Sequence, residues 1–511
     1  MNKQRFLALL TTLVLLCLPV LALAEVTYPL AEPVTLTYWM PINSGAAKYI
    51  TSYDENTAYA QMEKNTGVDI QWIHPAVGQE QEQFNMMLVS GQLPDMIAMA
   101  NKYDGGEFQG MRDGMFVNLT DYLPTYAPDY WALIQSDDEF RRCVTDNEGN
   151  IAAFCAYKEA GDPPSLRLIV HESTMTQLGA EVPETIADWD ALFAGMKDLG
   201  VTPYLLDANG VNKLFVGAYG TYPGFYVSLD GQVSYGYITE GFRDYLTQMH
   251  DWYEKGYISK DFTSIDTNTR QTMFDSGALG CVCDAIVATY NRANKQGSPI
   301  ISTPYPKLNK EDSLHWIDDN VSPRWTFNEC TTAISSSCKN IEAAVAFLNY
   351  AYTGEGIELL NWGVEGLNWD WVDGQRVYND LMLNNELYTT EEASYIYKAH
   401  ITTKYTQRAV DCHANLLKSP DSLAIRFQYW GDPTVDAAFY LPSFDLPEED
   451  NVRKAEIMTD VSTYVNEMVL KFIVGAEPME SFDKFVATVN GMGMPEVLSM
   501  MQSGYDLYMS K

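Results

Sequence analysis

Thr331 to Trp371 reads TTAISSSCKNIEAAVAFLNYAYTGEGIELLNWGVEGLNWDW, and the organisation of the chain can be argued outward from it. Thr331 to Ser335 is a strand-like run, and Ser337, Cys338, Lys339 and Asn340 form a turn. Ile341, Ala344, Val345, Leu348 and Ala351 then recur at helical spacing, predicting an amphipathic helix that stops near Gly354. A loop carrying Trp362, Gly363, Gly366, Trp369 and Trp371 is expected to follow. Exposed indoles cost hydration free energy unless something covers them, and flat rings cover the C–H faces of sugars well.

The first residues decide the compartment. Lys3 and Arg5 precede an apolar run from Phe6 to Leu21, and Ala22-Leu23-Ala24 places small residues where a signal peptidase reads them. The run falls short of the roughly 20 residues that a membrane span needs. Residues 1–24 are therefore expected to be a signal peptide cleaved near Ala24, leaving a soluble extracytoplasmic protein. Leu16 before Cys17 argues against the rival lipoprotein cut. A chain of 511 residues exceeds a single core, so two lobes are expected. The net charge of −35 repels nucleic acid and anionic lipid and favours a neutral or cationic ligand. Eight cysteines are too few for a disulfide scaffold. Cys143 and Cys155 flank a turn at Asp146 to Asn150. A hairpin centred on Gly149 would set them face to face, as a disulfide or as two reduced thiols. Cys281 and Cys283 have no His or Cys couple nearby and read as core packing, not as a metal site.

Toward the N-terminus, Pro33 to Trp39 alternates as a first strand, and helical spacing runs from about Tyr53 to Asn65. Val68, Ile70 and Trp72 give a second strand, a helix stops at Gly91, and Gly91-Gln92-Leu93-Pro94-Asp95-Met96-Ile97 steps into a third. This order is the pattern of a parallel open sheet. Further on come Leu178-Gly179 and Pro183 to Trp189 with Thr185 as an N-cap, Trp252 to Ile258, and Phe274 to Gly280. With the export signal, the order of these segments resembles the sugar-type family of extracellular solute-binding proteins that serve ABC transporters.

The resemblance implies an α/β, periplasmic-binding-protein-like fold, with two lobes joined by a hinge around a cleft. Lobe one would hold residues 25–165 and 278–336, and lobe two residues 166–277 and 337–511 with the C-terminal helices. The segment after Phe274 would cross back to lobe one. It also implies a monomer that hands a solute, an oligosaccharide in most relatives, to permease transmembrane subunits; no cofactor is expected, and no residue is nominated as a metal ligand. Many relatives carry Arg-x-Asp-Trp where Leu168 to Glu172 stand here, so no ligand role carries over from that motif.

In open α/β sheets, ligands bind beyond the carboxyl ends of strands. This nominates Trp39 and Asn43 after the first strand, Tyr103 and Asp104 after the third, and Asp284 with Tyr290 after the crossing strand. Lobe two offers Tyr219, Tyr222 and Phe225 among glycines. The opening stretch offers Trp362 and Glu365. Arg324 with Trp325 lies near a crossing, where a guanidinium can pair hydroxyls or a carboxylate. In a chain that is 13% aromatic, each ring competes with plain core packing. Trp189 and Trp252, inside helices, read as core, and Asp95 reads as a pin at the start of the third strand. Saccharide recognition needs aromatic platforms and planar amides or carboxylates, which the chain supplies. The competing readings are a secreted glycoside hydrolase, which needs two carboxylates flanking the scissile bond, and a binding protein feeding a sensor or chemoreceptor. Nucleophile-elbow, zinc-helix and phosphate-loop motifs are absent from the sequence.

Overall fold

The computed structural model describes residues 26–159, 166–316, 331–399, 402–407 and 438–511, with a few more between 424 and 436. The expected leader, together with Arg324 and Trp325, lies outside the described residues.

Two sheets organise the chain. In the first, the strands run in the order Val68–Ile73, Val34–Trp39, Met96–Ala98, Thr331–Ile334, Phe154–Cys155. The first three are parallel, and Thr331–Ile334 runs antiparallel to its neighbours. The helix Thr57–Thr66 joins the first two. Asn56 caps it by accepting from the Ala58 and Tyr59 N–H groups, and Gly67 ends it at φ 73°, a conformation that suits glycine. Asp95 pins the sheet: its Oδ2 accepts from the Thr37 N–H at 2.8 Å and the Thr37 hydroxyl at 2.7 Å.

The second sheet has the order Ile300–Ser302, Leu166–His171, Leu279–Ala285, Thr202–Tyr204. Here the expected boundaries are corrected. Leu279–Ala285 does not cross back to lobe one; it pairs antiparallel with Leu166–His171 and parallel with Thr202–Tyr204. Ile300–Ser302 joins the same sheet. The return to the first sheet comes only at Thr331–Ile334. The tail is divided as well. The helices Ile341–Tyr350 and Gly354–Trp362 bury Val345, Leu348 and Leu360 in the first core. The helices Glu448–Ile473, Phe482–Gly491 and Met494–Ser510 pack on the second core around Trp189 and Trp252, both fully buried. Apolar spacing shows that a segment packs, but the register of pairing alone says against which sheet.

The stretch expected to be a loop after Gly354 is instead a helix, capped by Thr353, followed by a hairpin of Trp369–Val372 with Gln375–Tyr378. Cys143 and Cys155 are not joined by a disulfide. The Asp146–Asn150 turn exists, but one flank is the helix Asp138–Val144 and not a strand, so the two thiols are not cross-strand partners. Among the described residues, no helix is long and apolar enough to cross a membrane.

The chain passes between the two sheets three times: between Lys158 and Leu166, between Ser302 and Thr331, and between Thr406 and Glu448. Three strands of connection between two separate cores are the makings of a hinge.

Candidate functional site

Met40 to Ser44, directly after the first strand, and Ala98, Met99 and Lys102, at and beyond the end of the third, wall a cavity of about 420 Å³. Its other lining includes Tyr53, Tyr59, Glu80, Gln81, Tyr395 and Thr403. The volume suits a small organic ligand, and the position is the carboxyl edge of a parallel sheet.

The walls are held from behind. Tyr53 Oη donates to the Pro41 carbonyl at 3.0 Å and accepts from the Asn43 N–H at 3.2 Å. Burial pushes its phenol up to about 12, so it stays a neutral donor. His74 braces the same loop, with Nδ1 2.6 Å from the Met40 carbonyl and Nε2 accepting from the Tyr53 N–H at 3.2 Å. That pairing requires the neutral ring with its proton on Nδ1, and burial accordingly lowers the His74 pKa. Met99 sits at φ 60°, an uncommon conformation for a residue with a side chain, at the lip of the cavity. From the C-terminal half, a chain of hydroxyls runs from Tyr38 through Thr332 to Thr403, with contacts of 2.7 and 2.8 Å. Asn56 Nδ2 donates to the Tyr395 and Lys398 carbonyls, both at 3.2 Å. The Lys398 ammonium, 2% exposed, donates to the Asn361 carbonyl at 3.0 Å and so supports the wall.

Of the nominated residues, Asn43 lines this cavity; its Oδ1 accepts from the Gly45 N–H at 2.8 Å. Trp39 does not. Side chains alternate across a strand, so Tyr38 faces the first core while Trp39 turns to the other side. There it is 3% exposed and edge-on to Phe84 at 5.6 Å. Trp362 is also corrected: it is 3% exposed, stacked on Tyr378 at 5.2 Å, and donates to Gln407 Oε1 at 2.9 Å. Of the three indoles, Trp371 alone is largely exposed. Glu365 is exposed and bridges to Trp369.

Tyr103 donates to Asp113 at 2.7 Å, and burial, helped by that carboxylate, pushes its phenol up to about 12. Asp104 is exposed beside it. In the second lobe the aromatic trio divides. Tyr219 stands edge-on to Tyr245, and Phe225 packs on Tyr235. Tyr222 lies over Trp316 at 5.6 Å, with the Lys213 ammonium 5.5 Å from its ring. Asp284 accepts from the Ala285 N–H at 2.8 Å at the start of the helix Ile286–Lys295, while Tyr290 packs on the second core. Tyr53, Tyr59, Lys102, Tyr395 and Thr403 escaped the sequence reading. Lys102 was legible by the same strand-end rule that gave Tyr103, but Tyr395 and Thr403 arrive only through tertiary packing.

Residues 46–357 match the family of bacterial extracellular solute-binding proteins. The chain is 22% identical to the fructooligosaccharide ABC transporter substrate-binding protein FusA of Streptococcus pneumoniae serotype 4, over 95% of this chain and 93% of that one. It is 21% identical to the polygalacturonan/rhamnogalacturonan-binding protein YtcQ of Bacillus subtilis, over 62% of this chain and 64% of the relative. In fold it is similar to the alginate-binding protein AlgQ2, with a TM-score of 0.73 at 22% identity, covering 94% of this chain and 100% of that structure. Strand-end cavity, twin sheets and a family match over more than half its length agree: the chain belongs to the bacterial extracellular solute-binding proteins.

Proposed function

We propose that this protein captures an oligosaccharide outside the cytoplasm and presents it to the transmembrane subunits of an ABC importer, closing its lobes on the solute without transforming it. One observation carries this reading: a cavity at the carboxyl edge of the first sheet, where the half-buried Tyr395 supplies a ring over a base of buried Tyr53 and Tyr59, and Asn43, Gln81 and Thr403 supply hydrogen-bonding groups. Rings for C–H faces and amides for hydroxyls are what a sugar needs. Relatives named for fructooligosaccharide and for polygalacturonan/rhamnogalacturonan binding support the same solute class. The N-terminal leader directs export and is removed near Ala24.

The deciding experiment is a thermal-shift screen across mono- and oligosaccharides. A solute selective for the native state raises the melting temperature by mass action, and the sugar should be recovered chemically intact after prolonged incubation. A panel with no stabilising member rejects the saccharide assignment, and steady hydrolysis promotes the glycosidase reading. Reconstitution with the permease separates transport from sensing.

A further inference from the structure

Described residues from each of the three connections meet at one buried guanidinium. Arg167 is the second residue of Leu166–His171, after the first pass; Tyr305 follows Ile300–Ser302, at the start of the second; Gln428 belongs to the third. The Arg167 guanidinium lies 4.6 Å from the centroid of the Tyr305 ring, and its Nη2 donates to the Gln428 carbonyl at 3.4 Å. Beside Gln428, Tyr429 is held at φ 67°, a backbone conformation that a bulky side chain resists.

Arg167 is 1% exposed, and its Nε and Nη1 are buried without a hydrogen-bond partner among the described residues. Asp284 stands opposite it in register on the neighbouring strand. That carboxylate turns instead to the Ala285 N–H at 2.8 Å and toward Arg292 at 4.0 Å. A guanidinium this deep, with part of its donor fork unmet and no carboxylate paired to it among the described residues, is costly to maintain. Such a group calls for an explanation, and a ligand that completes it supplies one. A carboxylate matches the fork in geometry, with two coplanar acceptors, and in charge. Neighbouring sugar hydroxyls would offer acceptors but leave the charge uncompensated. The protein's negative net charge does not forbid an anionic guest. Exposed charges are screened beyond about 8 Å at physiological ionic strength, whereas a buried pair is not.

We propose that Arg167 is a solute-binding residue of the second lobe, and that its Nε and Nη1 donate to a carboxylate of a uronate-bearing oligosaccharide seated beside Tyr305 and Gln428. This rests on the saccharide reading above. Both nitrogens are covered in this structure, so binding requires the side chains that cover them to move aside.

The test is calorimetric titration with oligouronates (galacturonate, mannuronate and glucuronate series), their methyl esters and their neutral counterparts. The acid should bind roughly 10–100-fold more tightly than its ester, and Arg167→Met should reduce the acid to the affinity of the ester. Arg167→Met should also raise the melting temperature of the ligand-free protein, because it removes an uncompensated buried charge; a merely structural arginine would lower it. Should Arg167→Met not fold, Arg167→Lys, which keeps the charge without the fork, decides by losing at least tenfold in affinity for the acid. A neutral oligosaccharide that binds wild type and Arg167 variants alike overturns the Arg167 assignment and leaves the saccharide reading standing. Binding of no saccharide at all overturns that underlying reading, and this proposal with it.

Discussion

At the residue scale, burial separates structural side chains from functional ones. Trp362, stacked on Tyr378 and bonded to Gln407, belongs to a small core with Trp369 and Met382. Truncating it as Trp362→Ala should cost about 3–5 kcal/mol of unfolding free energy in a urea titration. Affinity for a verified solute should change little once the protein is folded. His74 gives a pH signature. Its folded pKa lies below the ordinary 6.5, so the unfolded chain takes up the proton first as pH falls. The stability supplied by the neutral ring is therefore complete above about pH 6.5 and drains away as pH falls through the folded value. Urea titrations at pH 7.5 and 5.5 should show wild type losing more stability than His74→Asn, while identical losses would remove His74 as a brace of the Met40–Asn43 loop.

At the element scale, helix ends connect the cavity to the rest of the lobe. Asn56 caps Thr57–Thr66 with its Oδ1 and ties down the Tyr395–Lys398 wall with its Nδ2, and it is fully buried. Asn56→Ala removes the cap and leaves two buried carbonyls without that donor, a cost of about 2–3 kcal/mol. The loss should come with faster amide exchange in residues 395–399, a coupling that a cap alone would not produce. In the second lobe, the Thr185–Asp188 capping box lies outside the lining of the first-lobe cavity. Thr185→Ala should cost about 1 kcal/mol and leave solute affinity unchanged, which makes it the control for Asn56.

At the scale of the whole molecule, two cores joined by three passes should move as hinged bodies, with bound solute favouring the closed arrangement by contacting both. A saturating saccharide should reduce the radius of gyration in solution scattering; equal dimensions with and without a bound solute would reject hinge closure. Arg112, which donates to both carboxylate oxygens of Asp445 at 2.9 and 3.2 Å, links the first lobe to the segment preceding Glu448–Ile473. Local signals were legible in the sequence because they are written in neighbouring residues. These are the strand–helix alternation from Pro33 to Ile97, the cap at Thr185, the pin at Asp95, and Asn43 as a cavity residue beyond a strand end. The partners of each segment were not. Apolar spacing in Leu279–Ala285 or Gly354–Trp362 demands burial, yet it is blind to which sheet provides it, because a pairing partner can lie a hundred residues away. Likewise the sequence supplied three tryptophans in a row of glycines, but only packing decided that two are core and one faces water. A side chain's burial depends on what other segments bring to its face, and no local spacing encodes that.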